Sequence, residues 1–188
     1  AGPALEGGSV LDGMRATTGA IEEIWISDDH ETSFRVIGET KPLGICGSGL
    51  ISLLAEAFLT GVLDKGGNVD VTLPTARTRD GEHGPEYVVV WADETEHGRD
   101  IVITRVDIDN LLRTKASIYA GFTVLAESVG IPMEMIEQMI IGGSFGQYIN
   151  VEKAVEIGLL PDMPWENFHF LGNTSVRGSY MALIDENQ

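Results

Sequence analysis

The chain is predicted to be an α/β protein, and three observations carry that expectation. From residue 107 to residue 184 the pattern runs helix, strand, helix, strand, helix, which is the alternation of an α/β lobe. Residues 20–37 hold two strand-like runs with a charged loop between them. Glycine makes up 23 of 188 residues, about 12% against roughly 7% on average, and it gathers at junctions between elements.

The elements follow in order. Residues 1–16 read as a short helix or turn, with Pro3 suited to a first helical turn and Gly7, Gly8 and Gly13 breaking it up. No strand precedes this segment, so the chain reads as cut from something longer. Residues 20–26 (AIEEIWI) and 33–37 (SFRVI) are strand-like, because Ile21, Ile24, Trp25 and Ile26 favour a pleated surface. The run 28–31 between them reads as a solvated loop. Residues 48–60 read as a helix with Leu50, Leu54, Ala57 and Phe58 in helical period, Ser48 as N-cap and Gly61 as stop.

Residues 64–84 read as a long loop. Residues 86–91 (EYVVVW) and 100–105 (DIVITR) read as strands joined by an exposed acidic turn. The longest helix is expected over 107–129, with Asp107 as cap and a stripe of Leu111, Lys115, Ile118, Phe122, Leu125 and Val129. Gly130 and Pro132 end it. Residues 138–141 (QMII) read as a buried strand that runs into Gly142-Gly143-Ser144-Phe145-Gly146. Residues 151–157 form a short helix capped by Asn150 and stopped by Gly158. Residues 167–171 (NFHFL) form a strand leading to Gly172-Asn173-Thr174, and a last helix runs from about 175 to 184. The division expected is residues 1–16 plus 106–188 as one α/β lobe, with 17–105 inserted as a second, α+β lobe.

Composition excludes several classes. Lys plus Arg is 12 and Asp plus Glu is 29, for a net charge of −17. A nucleic-acid or anionic-membrane binder needs a basic face that this balance does not supply. No apolar run approaches the ~18 residues of a membrane-crossing helix, and the N-terminal residues lack the basic and apolar regions of a signal peptide. A single cysteine, Cys46, excludes a disulfide framework and a cysteine-ligated cluster within this chain. The lone thiol and missing signal fit a cytoplasmic protein.

Gly142-Gly143-Ser144-Phe145-Gly146 is the sharpest candidate site. It follows a strand and should open a helix, so its backbone N–H groups can meet a ligand closely. It lacks the Gly-Lys-Ser/Thr of a P-loop. The alternative is a plain tight turn. Gly172-Asn173 forms a second strand-to-helix turn, which would lie at the same sheet edge if the two strands are parallel; its alternative is a helix cap. Lys115, a cation on an apolar stripe, either meets ribose or phosphate oxygens or buries its stem and keeps its head wet. Gly44-Ile45-Cys46-Gly47-Ser48-Gly49 reads as a lobe junction, and Cys46 as a buried, inert thiol. The four histidines show no metal-ligand spacing, so no metal is assigned.

Eight strings occur in order along the chain: PALEGG (3–8), GMRA (13–16), GAIE (19–22), KPLGICGSGLI (41–51), LLRTKASIYAGFTVL (111–125), IIGGSFGQYIN (140–150), EIGLLPD (156–162) and FLGNTSVRGS (170–179). Together they resemble the C-terminal domain of the reductive activators of corrinoid proteins. The resemblance implies a ribonuclease H-like lobe of the acetate and sugar kinase, heat-shock and actin superfamily, incomplete here at both ends. It implies ATP, with Mg in the complete domain, clamped between two lobes. Gly142, Gly143, Ser144 and Phe145 would take the adenosine side, Lys115 ribose or phosphate, with Gly172 and Asn173 at the same edge. The catalytic residue is not assigned.

The resemblance further implies a [2Fe-2S] domain outside this chain, a corrinoid protein as partner, reduction of its cobalt from Co(II) to Co(I), and a possible homodimer. This chain alone is then expected to be inactive. Two other readings stay open. One is a small-molecule phosphotransferase of the same superfamily. The other is a non-catalytic module that docks a partner through its acidic surface.

Overall fold

A computed structural model describes residues 8–143 and 148–184. The first sheet has the order β2–β1–β3, where β1 is Ala20–Ile26, β2 is Thr32–Val36 and β3 is Gly44–Ile45. β1 pairs antiparallel with β2, with Ile24 opposite Phe34, and parallel with β3, with Ile21 opposite Ile45. Ile21, Ile24 and Ile26 are all buried although strict alternation would not put 21 and 24 on one face. A register irregularity between Ile21 and Glu23 restores the phase.

Helix α1, Gly47–Leu59, leaves β3 directly and packs on β1. Its Leu50, Ile51, Leu53, Leu54 and Ala57 are all buried, so it is apolar nearly all round, as a helix in the middle of a core must be. The glycines of the 44–49 motif make this approach possible. A Cβ at Gly49 would lie 2.4 Å from the Ile21 carbonyl oxygen, and one at Gly44 2.6 Å from that of Asp12. Ser48 is not the cap: the helix begins one residue before it, at Gly47, and the Ser48 hydroxyl lies 3.3 Å from the Cys46 thiol. Cys46 is buried and its thiol donates to the Ile21 carbonyl.

The second sheet is the antiparallel β4–β5–β6, with β4 at Thr78–Gly81, β5 at Gly84–Val90 and β6 at Ile101–Thr104. β4 lies inside the stretch expected to be loop. Its sequence TRDG carries no strand pattern, and it is held by pairing with β5 and by Arg79, which bridges Glu86 and Asp100. Pairing with a neighbour here overrides weak local propensity.

Helix α2 spans Arg105–Ser128, two residues earlier than expected. Thr104 is the N-cap, and Asp107 is the third residue of a capping box. The Asp107 carboxylate also accepts from the Leu11 amide at 2.9 Å, which ties the N-terminal segment to this helix start. The expected stripe is only half covered. Leu111 is buried, while Leu125 and Val129 are 65% and 62% exposed. A helix of this length runs for about 36 Å, far beyond the four residues of β6 beneath its start.

β7 (Met139–Gly142), α3 (Val151–Glu156) and β8 (Phe168–Gly172) form a strand–helix–strand unit, with β7 and β8 parallel. β7 is not the buried strand expected: Met139 and Ile141 pack on the core, and Ile140 between them is 63% exposed. Strand alternation, with one face covered, explains the difference. α4, Thr174–Ile184, closes the described chain and buries none of its residues. No helix among the described residues is long and apolar enough to cross a membrane.

Candidate functional site

The two glycine turns do come to one edge. Gly142 sits opposite Gly172 at the carboxyl ends of the parallel strands, and the Gly143 amide donates to the Gly172 carbonyl at 2.6 Å. This is the edge at which open parallel sheets take ligands. Gly143 has φ +102° and Gly172 φ +64°, a region that glycine enters without strain. Among the described residues, a Cβ at Gly143 would meet nothing within 4 Å. At Gly142 a Cβ would lie 3.0 Å from the Thr174 hydroxyl oxygen, so a side chain would crowd the first turn of α4.

Asn173 stands at that edge and caps α4. Its Oδ1 accepts from the Val176 amide at 3.1 Å, and its carbonyl accepts from Arg177. The N-terminus of an eleven-residue helix therefore opens beside Gly143. Ser144 and Phe145 fall outside the described residues. Lys115 stands elsewhere. Its stem lines an apolar crevice with Leu50, Leu54, Ile157 and Leu159, and its Cε is 3.4 Å from where a Cβ on Gly158 would be.

A second polar cluster, which the sequence reading did not single out, lies where α3 begins. β3 is only two residues long, so among the described residues β1 beyond Ile21 has no strand on that side. Its backbone groups find side chains instead. The Ile24 amide donates to the Ser52 hydroxyl at 3.1 Å, that hydroxyl donates back to the Ile24 carbonyl at 2.6 Å, and the Ile26 amide donates to Glu56 at 2.9 Å. Lys153, buried in the first turn of α3, donates to the Ile24 carbonyl at 2.8 Å and to Ser52 at 2.7 Å. It pairs with Glu56 at 2.9 Å and lies 5.3 Å from the centre of the Trp25 ring. The buried charge is thus paired and fully hydrogen-bonded, which is the condition for holding one inside a protein.

Two neighbours complete the electrostatics. Partial desolvation of an otherwise exposed side chain, then repulsion from Glu152 and Glu56, raises the Glu156 carboxyl above its ordinary range. The hydrogen bond from Arg35 to Glu22 raises the Arg35 guanidinium further above its usual value. A polar cavity of about 270 Å³ lies between the β1–β2 hairpin and the start of α3, lined by Glu22, Glu23, Arg35, Ser48, Tyr148 and Asn150 among others. The sequence did hold a signal for the cluster. Ser48, Ser52 and Glu56 recur at i, i+4 spacing on a helix whose other side chains are apolar.

A short sheet backed by a buried helix, followed by a parallel strand–helix–strand unit with glycine turns at one edge, defines a lobe of the actin-like ATPase class. The chain belongs to the family described as the C-terminal domain of RACo, the ASKHA domain, whose model matches residues 1–188. It is 37% identical over 194 residues to the corrinoid activation enzyme RamQ of Eubacterium limosum, covering 100% of this chain and 32% of that protein. It is 30% identical over 197 residues to the [Co(II) methylated amine-specific corrinoid protein] reductase of Methanosarcina barkeri, covering 94% of this chain and 32% of that one. Among solved structures, the reductive activator for corrinoid, iron-sulfur protein superposes with a TM-score of 0.92 at 45% identity, over 98% of this chain and 30% of that one. The chain therefore spans about a third of the length of these relatives.

Proposed function

We propose that this chain is the ATP-binding part of a longer reductive activator. The activator would return a corrinoid protein from Co(II) to Co(I), using one electron from a [2Fe-2S] domain elsewhere in the longer polypeptide. The observation that carries the reading is the family match over the whole chain together with relatives named as corrinoid activators. The glycine edge supports ATP as the ligand. Gly143 lies at positive φ and the α4 N-terminus opens next to it, a combination that suits the approach of a polar ligand to the sheet edge. ATP bound there, with Mg, supplies the free energy that an uphill reduction requires. The chain's own residues bind it and pass its presence on as a change in lobe position, a ligand-biased two-state motion.

The lobe division proposed is 1–16 with 106–188 against 17–105. The β4–β5–β6 sheet lies wholly within the second part and the β7–β8 pair within the first. Several large apolar residues of α2 and α4, including Leu125, Tyr180 and Leu183, are exposed among the described residues, which fits contact with further polypeptide. A homodimer and a cytoplasmic location belong to the same proposal. The test uses the full-length protein. ATP hydrolysis stimulated by the corrinoid protein, and appearance of the Co(I) absorbance only with ATP, is the result expected. Hydrolysis that ignores the corrinoid protein would overturn it.

A further inference from the structure

We propose that the groove at the amino end of the β7–β8 pair docks a Lys- or Arg-bearing segment of another protein. The inference does not depend on where ATP binds. The segments that lead into the two strands, 133–138 and 161–167, enclose a groove of about 630 Å³. Met139 and Phe168 are paired where the strands begin, and Gly142 and Gly172 where they end. At about 3.3 Å per residue, β7 sets the groove on the order of 10 Å from the glycine edge. The two places are therefore separate surfaces of one strand pair.

The lining combines two chemistries. Met133, Ile136 and Met163 are half-buried and supply an apolar part. Glu134, Glu137 and Asp162 are exposed around them, and no lysine, arginine or histidine lines the groove. Among the described residues none of these three carboxylates is in a salt bridge; the ion pairs all lie elsewhere. Beside the groove, Met135 and Trp165 are 69% and 60% exposed.

The charge selects the occupant. Between Lys115 and Arg177 the sequence holds seven Asp or Glu and a single Lys or Arg, which is Lys153. Lys153 is buried and paired with Glu56, so this stretch presents its carboxylates with no exposed Lys or Arg among them. A nucleic acid or a free phosphate is repelled by such a surface. A second copy brings the same carboxylates and the same net charge of −17, and a two-fold contact would set like charges together. The complement is a protein segment with a large apolar side chain flanked by Lys or Arg. Flexible methionines adapt to the apolar side chain, and the exposed Trp165 ring can take a cation on its face.

The test uses the full-length protein. A display library of random short peptides is panned against it, and the selected peptides are titrated by fluorescence anisotropy. We expect enrichment of sequences with Lys or Arg on both sides of Leu, Met or Phe. Their affinity should fall about tenfold or more in Glu134→Lys/Glu137→Lys/Asp162→Lys, because each exposed pair is weak but three are reversed together. Raising the salt from about 0.05 M to about 0.5 M should weaken binding severalfold. Should the triple reversal fail to fold, Glu134→Gln/Glu137→Gln/Asp162→Asn keeps the shapes and removes the charges; weaker binding is expected there, and unchanged binding is a refutation. Enrichment of acidic or uncharged peptides, or equal affinity in wild type and variant, overturns the inference. So does a groove that selects no peptide because further polypeptide of the same protein fills it.

Discussion

Gly143 and Gly172 are joined by a hydrogen bond of 2.6 Å between the Gly143 amide and the Gly172 carbonyl, at the carboxyl edge of the β7–β8 pair. Both residues have positive φ, and neither position carries a side chain into the edge. The bond fixes two turns that are about thirty residues apart in sequence as one surface. That surface is where the proposed nucleotide would lie, and it yields the first prediction.

Gly143→Arg in the full-length protein should lower ATP affinity at least tenfold. The long cationic side chain would project into the edge where the nucleotide is proposed to lie, and φ +102° adds strain of about 1–3 kcal/mol for a non-glycine residue. Calorimetric titration checks this. Unchanged affinity would move the weight to the acidic docking module.

Lys115→Met should leave ATP affinity within about twofold. Its stem packs against Gly158 and the Leu50–Leu54 face of α1, and methionine fills that crevice comparably. A tenfold loss of affinity would return Lys115 to the role of a ribose or phosphate contact.

Gly49→Ala should destabilise the fold by about 3 kcal/mol, at the upper end of overpacking. The added methyl would stand 2.4 Å from the Ile21 oxygen and 2.8 Å from the Ile45 Cγ2, and backbone cannot give way as a side chain can. Urea unfolding measures the loss. Gly61→Ala is the contrasting case. It has open space at its Cβ but φ +75°, so it should lose only the smaller strain of the left-handed region.

Glu156→Gln should raise the melting temperature slightly at pH 7, with the gain fading as pH falls towards 4. The folded state holds this carboxyl above its ordinary range. A raised carboxyl pKa means that folding favours the protonated form. The group's favourable contribution is therefore present below the unfolded pKa and is lost as pH rises through the folded one. Removing the charge removes that loss. The side chain is exposed, so solvent screening keeps the effect small. A melting-temperature series across pH tests it, and a gain that grows on acidification would refute the cause given.

Much of the fold was legible because its signals are local. The hairpin at 20–36, the buried helix that begins within GICGSG, the Asn150 cap and the turn at Gly172 all follow from residue type and spacing. What failed was also local in origin. β4 has no strand pattern of its own and exists because β5 offers a partner. Asp107 was read as a cap because it precedes the apolar stripe, whereas Thr104 supplies the cap and Asp107 answers it three residues on. The QMII run does not reveal that Ile140 faces outwards, because burial depends on what covers each face of the strand.

The sequence by itself determined the α/β class, the family and the places where backbone must turn or pack closely, since these depend on glycine, caps and periodicity within a few residues. Tertiary structure decided which of those places meet. It brought Gly142 and Gly172 to one edge and set Lys115 against Gly158, at the foot of α3. It also assembled Ser52, Glu56 and Lys153 into one buried cluster around β1. The reason is physical. The Ile24 carbonyl must find donors once β3 ends, and only the three-dimensional path of the chain determines which side chain, about 130 residues later, is there to supply one.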